Sequence, residues 1–113
     1  MDTRAKIVSP EESASRLKPG TLVVAGHFDP LLASHAARLA EARAGAAALA
    51  VVVTDPPEPV LPLRARAELV AALRCVDLVI PGGPGAPTPD LNWESEHLHA
   101  AADFLQHVKS RQA

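Results

Sequence analysis

Three short apolar runs, Thr21–Ala25, Ala48–Thr54 and Val76–Ile80, alternate with two segments of helical periodicity, and this order constrains the fold more than any other feature. Runs of this length, rich in β-branched residues and flanked by Gly, Pro and Asp, are buried strands. Between them, Ala33–Ala44 carries leucine and alanine at helical spacing and is stopped by Gly45. Pro62–Arg74 offers Leu63, Ala67, Val70, Ala71 and Leu73 to one face. Strand, helix, strand, helix, strand is the βαβαβ pattern of a parallel sheet joined by right-handed crossovers. The expected fold class is therefore α/β, a three-layer sandwich around a short parallel sheet, Rossmann-like in plan.

Ile7-Val8 is a short apolar pair ahead of this core, and Ser9-Pro10-Glu11-Glu12 reads as a helix entry. Ser9 caps, Pro10 takes the first helical position and Glu12 closes a capping box, until Lys18-Pro19-Gly20 ends the helix. Behind the core, residues 81–90 form a loop rich in Pro and Gly. Its Gly82-Gly83-Pro84-Gly85 lacks the Lys and Ser/Thr of a phosphate loop, and its prolines remove backbone donors, so it reads as a linker. A last helix is expected from Asn92 to Ser110 within the segment 91–113, with Leu98, Ala101, Ala102, Leu105 and Val108 on one face. No fourth strand is expected, which leaves one edge of the central strand open. Ile7-Val8, the last helix or a second copy would cover it, and a homodimer is the favoured answer.

A chain of 113 residues is one domain, 1–113, with aromatics at only 3%, so its core is built of Ala, Val and Leu. The net charge of −2, with no basic tract, argues against a nucleic-acid partner, because phosphate neutralisation needs clustered cations. Cys75 is the one cysteine and cannot form an internal disulfide, which fits a reducing compartment. No apolar run approaches the roughly 20 residues that span a bilayer, and Met1–Lys6 does not look like a signal peptide. A soluble cytoplasmic protein that engages no membrane is expected.

Ligands of such folds lie at the carboxyl ends of the strands, where the strand order reverses. The turn after the first strand reads Gly26-His27-Phe28-Asp29-Pro30-Leu31-Leu32-Ala33-Ser34-His35. It resembles the G-x-F-D-x-x-H-x-G-H turn of the cytidylyltransferase-like nucleotidyltransferases. Gly26, Phe28, Asp29 and His35 match; Leu32 stands where the first histidine belongs and Ser34 where the glycine belongs. Val51-Val52-Val53-Thr54-Asp55 is similar to the family's second strand with its acidic end. The segment from Pro62 to Asp77 is similar to its P-L-x-x-R-x-x-x-L-x-x-L-x-x-V-D stretch. Lys6-Ile7-Val8 with Glu11-Glu12 is similar to the start of the nucleotidyltransferase domain of ADP-heptose synthases. The resemblance covers residues 5–80.

What the resemblance implies is attack by a substrate phosphate on the α-phosphorus of CTP or ATP, bound with Mg²⁺, and departure of pyrophosphate. His35 would be the catalytic residue, with Gly26, His27, Phe28, Asp29, Ser34 and Arg66 around the nucleotide. Measured against the family, Leu32 has no donor for a phosphate and Ser34 carries a Cβ where close approach is wanted. Residues 55–61 contain no lysine, and the family's R-x-x-G-[IV]-S-[ST]-[ST] stretch is absent. Weakened or lost catalysis follows, because each missing donor costs about 3 kcal/mol of transition-state stabilisation. The alternative is a non-catalytic interaction module using the open sheet edge and the C-terminal helix.

Each residue also has a plainer reading. His35 either donates to a phosphate at the helix start or only packs. Asp29 can hold the turn by accepting backbone N–H groups. Arg66 either reaches a phosphate or is solvated or ion-paired. His27 stands off the motif but can substitute as a donor. His99, Asp103 and His107 lie at i, i+4 and i+8, a spacing zinc could use, yet a solvated helix face is the simpler reading and no metal site is assigned. Trp93 either anchors the last helix or serves a dimer contact.

Overall fold

β-Branched side chains crowd a helix and fit a pleated strand, and the three apolar runs fold accordingly. The computed structural model describes residues 2–98. A 3₁₀ turn, Thr3–Lys6, precedes helix α1 (Pro10–Arg16), strand β1 (Thr21–Gly26), helix α2 (Ala33–Ala44) and strand β2 (Ala48–Val53). Helix α3 (Leu63–Ala71), strand β3 (Leu78–Pro81) and a short strand β4 (Leu91–Asn92) follow, and residues 94–98 are again helical. All four strands are parallel, in the order β3-β2-β1-β4. This is the Rossmann-like α/β fold the sequence pattern implies.

Successive side chains of a strand leave opposite faces, and that alternation builds the layers. Leu49, Val51 and Val53 of β2 join Val24, Val79, Leu39 of α2 and Ala67, Val70 and Ala71 of α3 in one buried cluster. Ala50 and Val52 face the other way, with Val8, Val23, Ala25, Leu78 and Ile80, packed by Leu17 and Ala86. Helix α1 covers that second face near β3. It starts as expected: Ser9 Oγ accepts the Glu12 N–H at 3.2 Å, with Pro10 at the first position. No helix among the described residues is long and apolar enough to cross a membrane.

Two expectations about the edges are corrected. The central strand's free edge is closed by the chain itself, because β4 pairs with Val24 and Ala25 where only loop and helix were expected. Asp90 N–H donates to Val23 O at 2.7 Å, the Asp90 carboxylate accepts the Val23 N–H at 2.8 Å, and Trp93 N–H donates to Ala25 O at 2.8 Å. Nothing about a strand of two exposed residues, Leu91 and Asn92, marks it in the sequence. Ile7-Val8 covers the far edge instead: Val8 N–H donates to Val79 O at 2.9 Å, with Ile7 bridged to Val79. The third strand also begins two residues late, at Leu78. Asp77 before it spends its carboxylate on the Leu49 N–H and on Arg43 Nε.

Candidate functional site

From β1 the chain passes through α2 to β2 and through α3 to β3, then returns across the sheet to β4 on the other side of β1. The order therefore reverses between β1 and β4, and the crevice outside their carboxyl ends is where this architecture places ligands. On one side of the reversal lies the turn after β1 and on the other the segment after β4, with rings from the two packed against each other. His27, Phe28 and His35 come from the first and Trp93, Glu94 and His97 from the second. All but Glu94 are buried.

Three imidazoles meet here, each in a hydrogen-bond setting that fixes its tautomer. His97 Nδ1 accepts the N–H groups of His27 at 3.0 Å and Phe28 at 3.1 Å. His35 Nδ1 accepts the Leu32 N–H at 3.1 Å, closing the start of α2, whose cap residue Leu32 has no side-chain acceptor. An accepting ring nitrogen is unprotonated, so His35 and His97 carry their protons on Nε2. His27 is the opposite tautomer: its Nδ1 donates toward the Thr54 carbonyl at 3.0 Å, with Thr54 Oγ1 also 3.0 Å away. Thr54 Oγ1 in turn donates to Glu94 Oε2 at 2.9 Å, tying the end of β2 to the helical residues 94–98.

The His35 and His97 rings are 4.2 Å apart at their centroids, and Phe28 meets His97 at 4.5 Å and His35 at 5.8 Å. Phe28 is fully buried at a left-handed φ of 48°, held by these rings and Trp93. Such a backbone costs about 1–3 kcal/mol and persists only where the surroundings fix it. Burial, then the neighbouring His35, His27 and Arg38, push His97 down to about 3. Burial and Arg38 also lower His35, opposed by Glu96. His97 Nε2 is buried with no hydrogen-bond partner among the described residues. An unmet buried donor of this kind costs about 1–3 kcal/mol.

Gly26 makes the arrangement possible. A Cβ there would lie 2.4 Å from His97 Cε1 and 2.6 Å from Nδ1, inside van der Waals contact. Gly26→Ala is therefore expected to expel the His97 ring and strand the His27 and Phe28 N–H groups, at a cost of about 2 kcal/mol. Denaturant unfolding checks the energy, and loss of the hydrogen-bonded positions of those two amide resonances checks the cause.

The other residues expected at a nucleotide are differently employed. Both Asp29 oxygens accept backbone donors, from Val60 at 2.6 Å and Leu61 at 2.8 Å, so the carboxylate clamps the loop before α3. Arg66, expected beside a phosphate, is fully buried and turned inward. Its Nε donates to Leu61 O at 3.0 Å, Nη1 to His27 O at 3.0 Å and Thr54 O at 2.8 Å, and Nη2 to the Asp55 carboxylate. Ser34 is exposed in the first turn of α2. Trp93 anchors the segment after β4, with the Arg38 guanidinium 4.1 Å over its ring and Arg38 paired with Glu96. Gly83 and Gly85 lie near Pro10 of α1. His99, Asp103 and His107 lie outside the described residues.

His97 was not singled out by the sequence. The nearest signal is Trp93 four residues earlier, one helical turn away, whose carbonyl accepts the His97 N–H at 2.9 Å. Among the described residues no group of three or more His, Cys, Asp or Glu side chains is placed to hold a metal ion. A cavity of about 480 Å³ lies at the opposite, amino end of the strands, beside Arg16, Lys18, Arg43 and Asp77. Its one ion pair, Arg43 Nε to Asp77 at 2.9 Å, braces the starts of β2 and β3, whereas the buried titratable groups gather at the carboxyl end.

Fold and crevice together define a Rossmann-like α/β domain with its polar, buried cluster at the strand-order reversal. No family model matches the chain, and no curated protein matches it.

Proposed function

We propose that the domain binds a nucleoside triphosphate, CTP or ATP carried as its Mg²⁺ complex, at the crevice between β1 and β4, and has weakened or lost nucleotidyl transfer. One observation carries this reading: side chains from both sides of the reversal converge there, with His35 at the N-terminus of a twelve-residue helix. Backbone N–H groups of a first helical turn favour phosphate, and Leu32 contributes no side-chain acceptor to compete for them. Weak turnover follows from what the site lacks. Arg66 and Asp29 are committed to the protein's own backbone and to Asp55, and Leu32 brings no donor. Positioning and charge stabilisation, which are nearly all that phosphoryl chemistry asks of a protein, are both reduced.

The interaction-module reading, and the homodimer with it, drew on an open edge of the central strand and on the C-terminal helix; β4 covers that edge at Val24 and Ala25, and residues 99–113 of that helix lie outside the described residues. An amide-resolved NMR titration with Mg²⁺-CTP and with Mg²⁺-ATP tests the proposal. Saturable shifts at residues 26–35 are expected. The absence of any shift at millimolar nucleotide would overturn it.

A further inference from the structure

At the crevice, most donors of the β1 turn are already spent inside the protein. The His27 and Phe28 N–H groups go to His97 Nδ1, the Leu32 N–H to His35 Nδ1, and four guanidinium donors of Arg66 to carbonyls and Asp55. What remains, beside the first-turn N–H groups of α2, is the far nitrogen of each ring. His97 is only 3% exposed, yet its Nε2–H meets no acceptor among the described residues. Native structures rarely leave such a group unmatched, and where they do the reason is commonly strain, a catalytic role, or a bound water or ion. His35, 4.2 Å away ring to ring, presents the same tautomer with its Nε2 free of any assigned partner. A ring whose Nδ1 accepts two backbone N–H groups is also polarised, and its Nε2–H becomes a stronger donor.

We propose that His35 and His97 form a two-imidazole oxyanion site, each ring donating its Nε2–H to a phosphoryl oxygen of a phosphate ester bound at the start of α2. This rests on the reading of the crevice as a nucleotide site and adds His97, from beyond β4, as a ligand-binding residue of that site. The turn's backbone donors reach the ligand through the His97 ring rather than directly. Gly26 belongs to the site for the same reason, since its missing side chain is the space the ring occupies. Because burial keeps the rings neutral, the site donates hydrogen bonds without carrying charge; Arg38, ion-paired with Glu96, is a cation felt by both rings.

The test uses the whole chain with ¹⁵N-labelled histidine rings, followed by long-range ¹H–¹⁵N correlation during titration with inorganic pyrophosphate, Mg²⁺-ATP and Mg²⁺-CTP. Nε2 resonances of both His35 and His97 should move saturably. In His97→Asn the amide oxygen can take the Nδ1 place, so the His27 and Phe28 N–H groups keep an acceptor while the donor is lost. Affinity should then fall about tenfold or more, equivalent to about 1.4 kcal/mol. If nucleotide shifts residues 26–35 but leaves His97 Nε2 unmoved, the two-imidazole site is overturned and the nucleotide reading stands. If pyrophosphate moves both Nε2 resonances and neither nucleotide does, the site stands and the nucleotide reading falls. No shift with any probe overturns both. Should His97→Asn fail to fold, the ring resonances of the unaltered protein decide alone.

Discussion

Replacing Arg66 with methionine should destabilise the domain by about 3–5 kcal/mol, because it removes a fully buried guanidinium and leaves its partners without donors. The side chain sits on α3 but binds three separate pieces of chain: Leu61 O just before the helix, His27 O in the β1 turn, and Thr54 O with Asp55 beyond β2. Methionine keeps most of the volume, so the loss reports hydrogen bonding rather than a cavity. Asp55 is 56% exposed and regains water, and Thr54 O keeps His27 Nδ1–H. The carbonyls of Leu61 and His27 carry most of the cost. Native domains hold only about 5–15 kcal/mol in all, so the urea midpoint should fall by about 2 M or more. Arg66→Lys keeps the charge but presents one ammonium where a planar fork is needed, and should recover only part of the loss. An Arg66→Met midpoint close to that of the unaltered protein would sink the structural role and return Arg66 to the ligand.

That result bears on how far the sequence could be read. Valine and alanine runs between Gly, Pro and Asp announce β1, β2 and β3, because nothing but a sheet buries such residues on both faces. The layers and the location of the crevice follow from the same pattern. β4 was illegible: Leu91 and Asn92 have no periodicity, and their pairing depends on Asp90 finding Val23 at a separation of 67 residues. His97 was illegible for the same reason, since it reaches the His27 and Phe28 N–H groups, 70 and 69 residues away, only after β4 has set the register. Motif residues posed a different difficulty. Asp29 and Arg66 stand where the family resemblance puts them, but residue type says nothing about direction, and both face inward to backbone groups. His35 was legible in place, while the partner that gives its ring a neighbour was not.

Acid should weaken the fold well before carboxylates titrate, and His97 is the reason. An unfolded histidine titrates near 6.5, whereas burial first, and then the facing groups, hold folded His97 to about 3. Those groups are His35 and Arg38 of α2 and His27 of the β1 turn. Between these two values the unfolded chain binds a proton that the native state refuses, so stability rises with pH throughout the interval. The contribution is fully present above pH 6.5 and is lost progressively as the pH falls toward 3. From pH 7 to pH 4 the loss integrates to about 3 kcal/mol, with His35 adding in the same direction. Asp2, whose carboxyl is lowered by its bond to Arg4, is fully exposed and adds nothing to this window. Urea midpoints should therefore drop steadily between pH 6.5 and 5.5, a range in which ordinary carboxylates, with pKa values of about 4, remain ionised. In His97→Asn much of that slope should vanish. The ring can also be watched directly: its Cε1 proton should show no titration down to pH 4.5 while the protein stays folded. A midpoint that is flat from pH 7 to pH 5, or a His97 resonance that titrates near 6.5, would mean that the ring is not held neutral. The two-imidazole site would then become cationic below about pH 6.5, where a protonated His97 Nδ1 could no longer accept the His27 and Phe28 N–H groups that hold the ring in place.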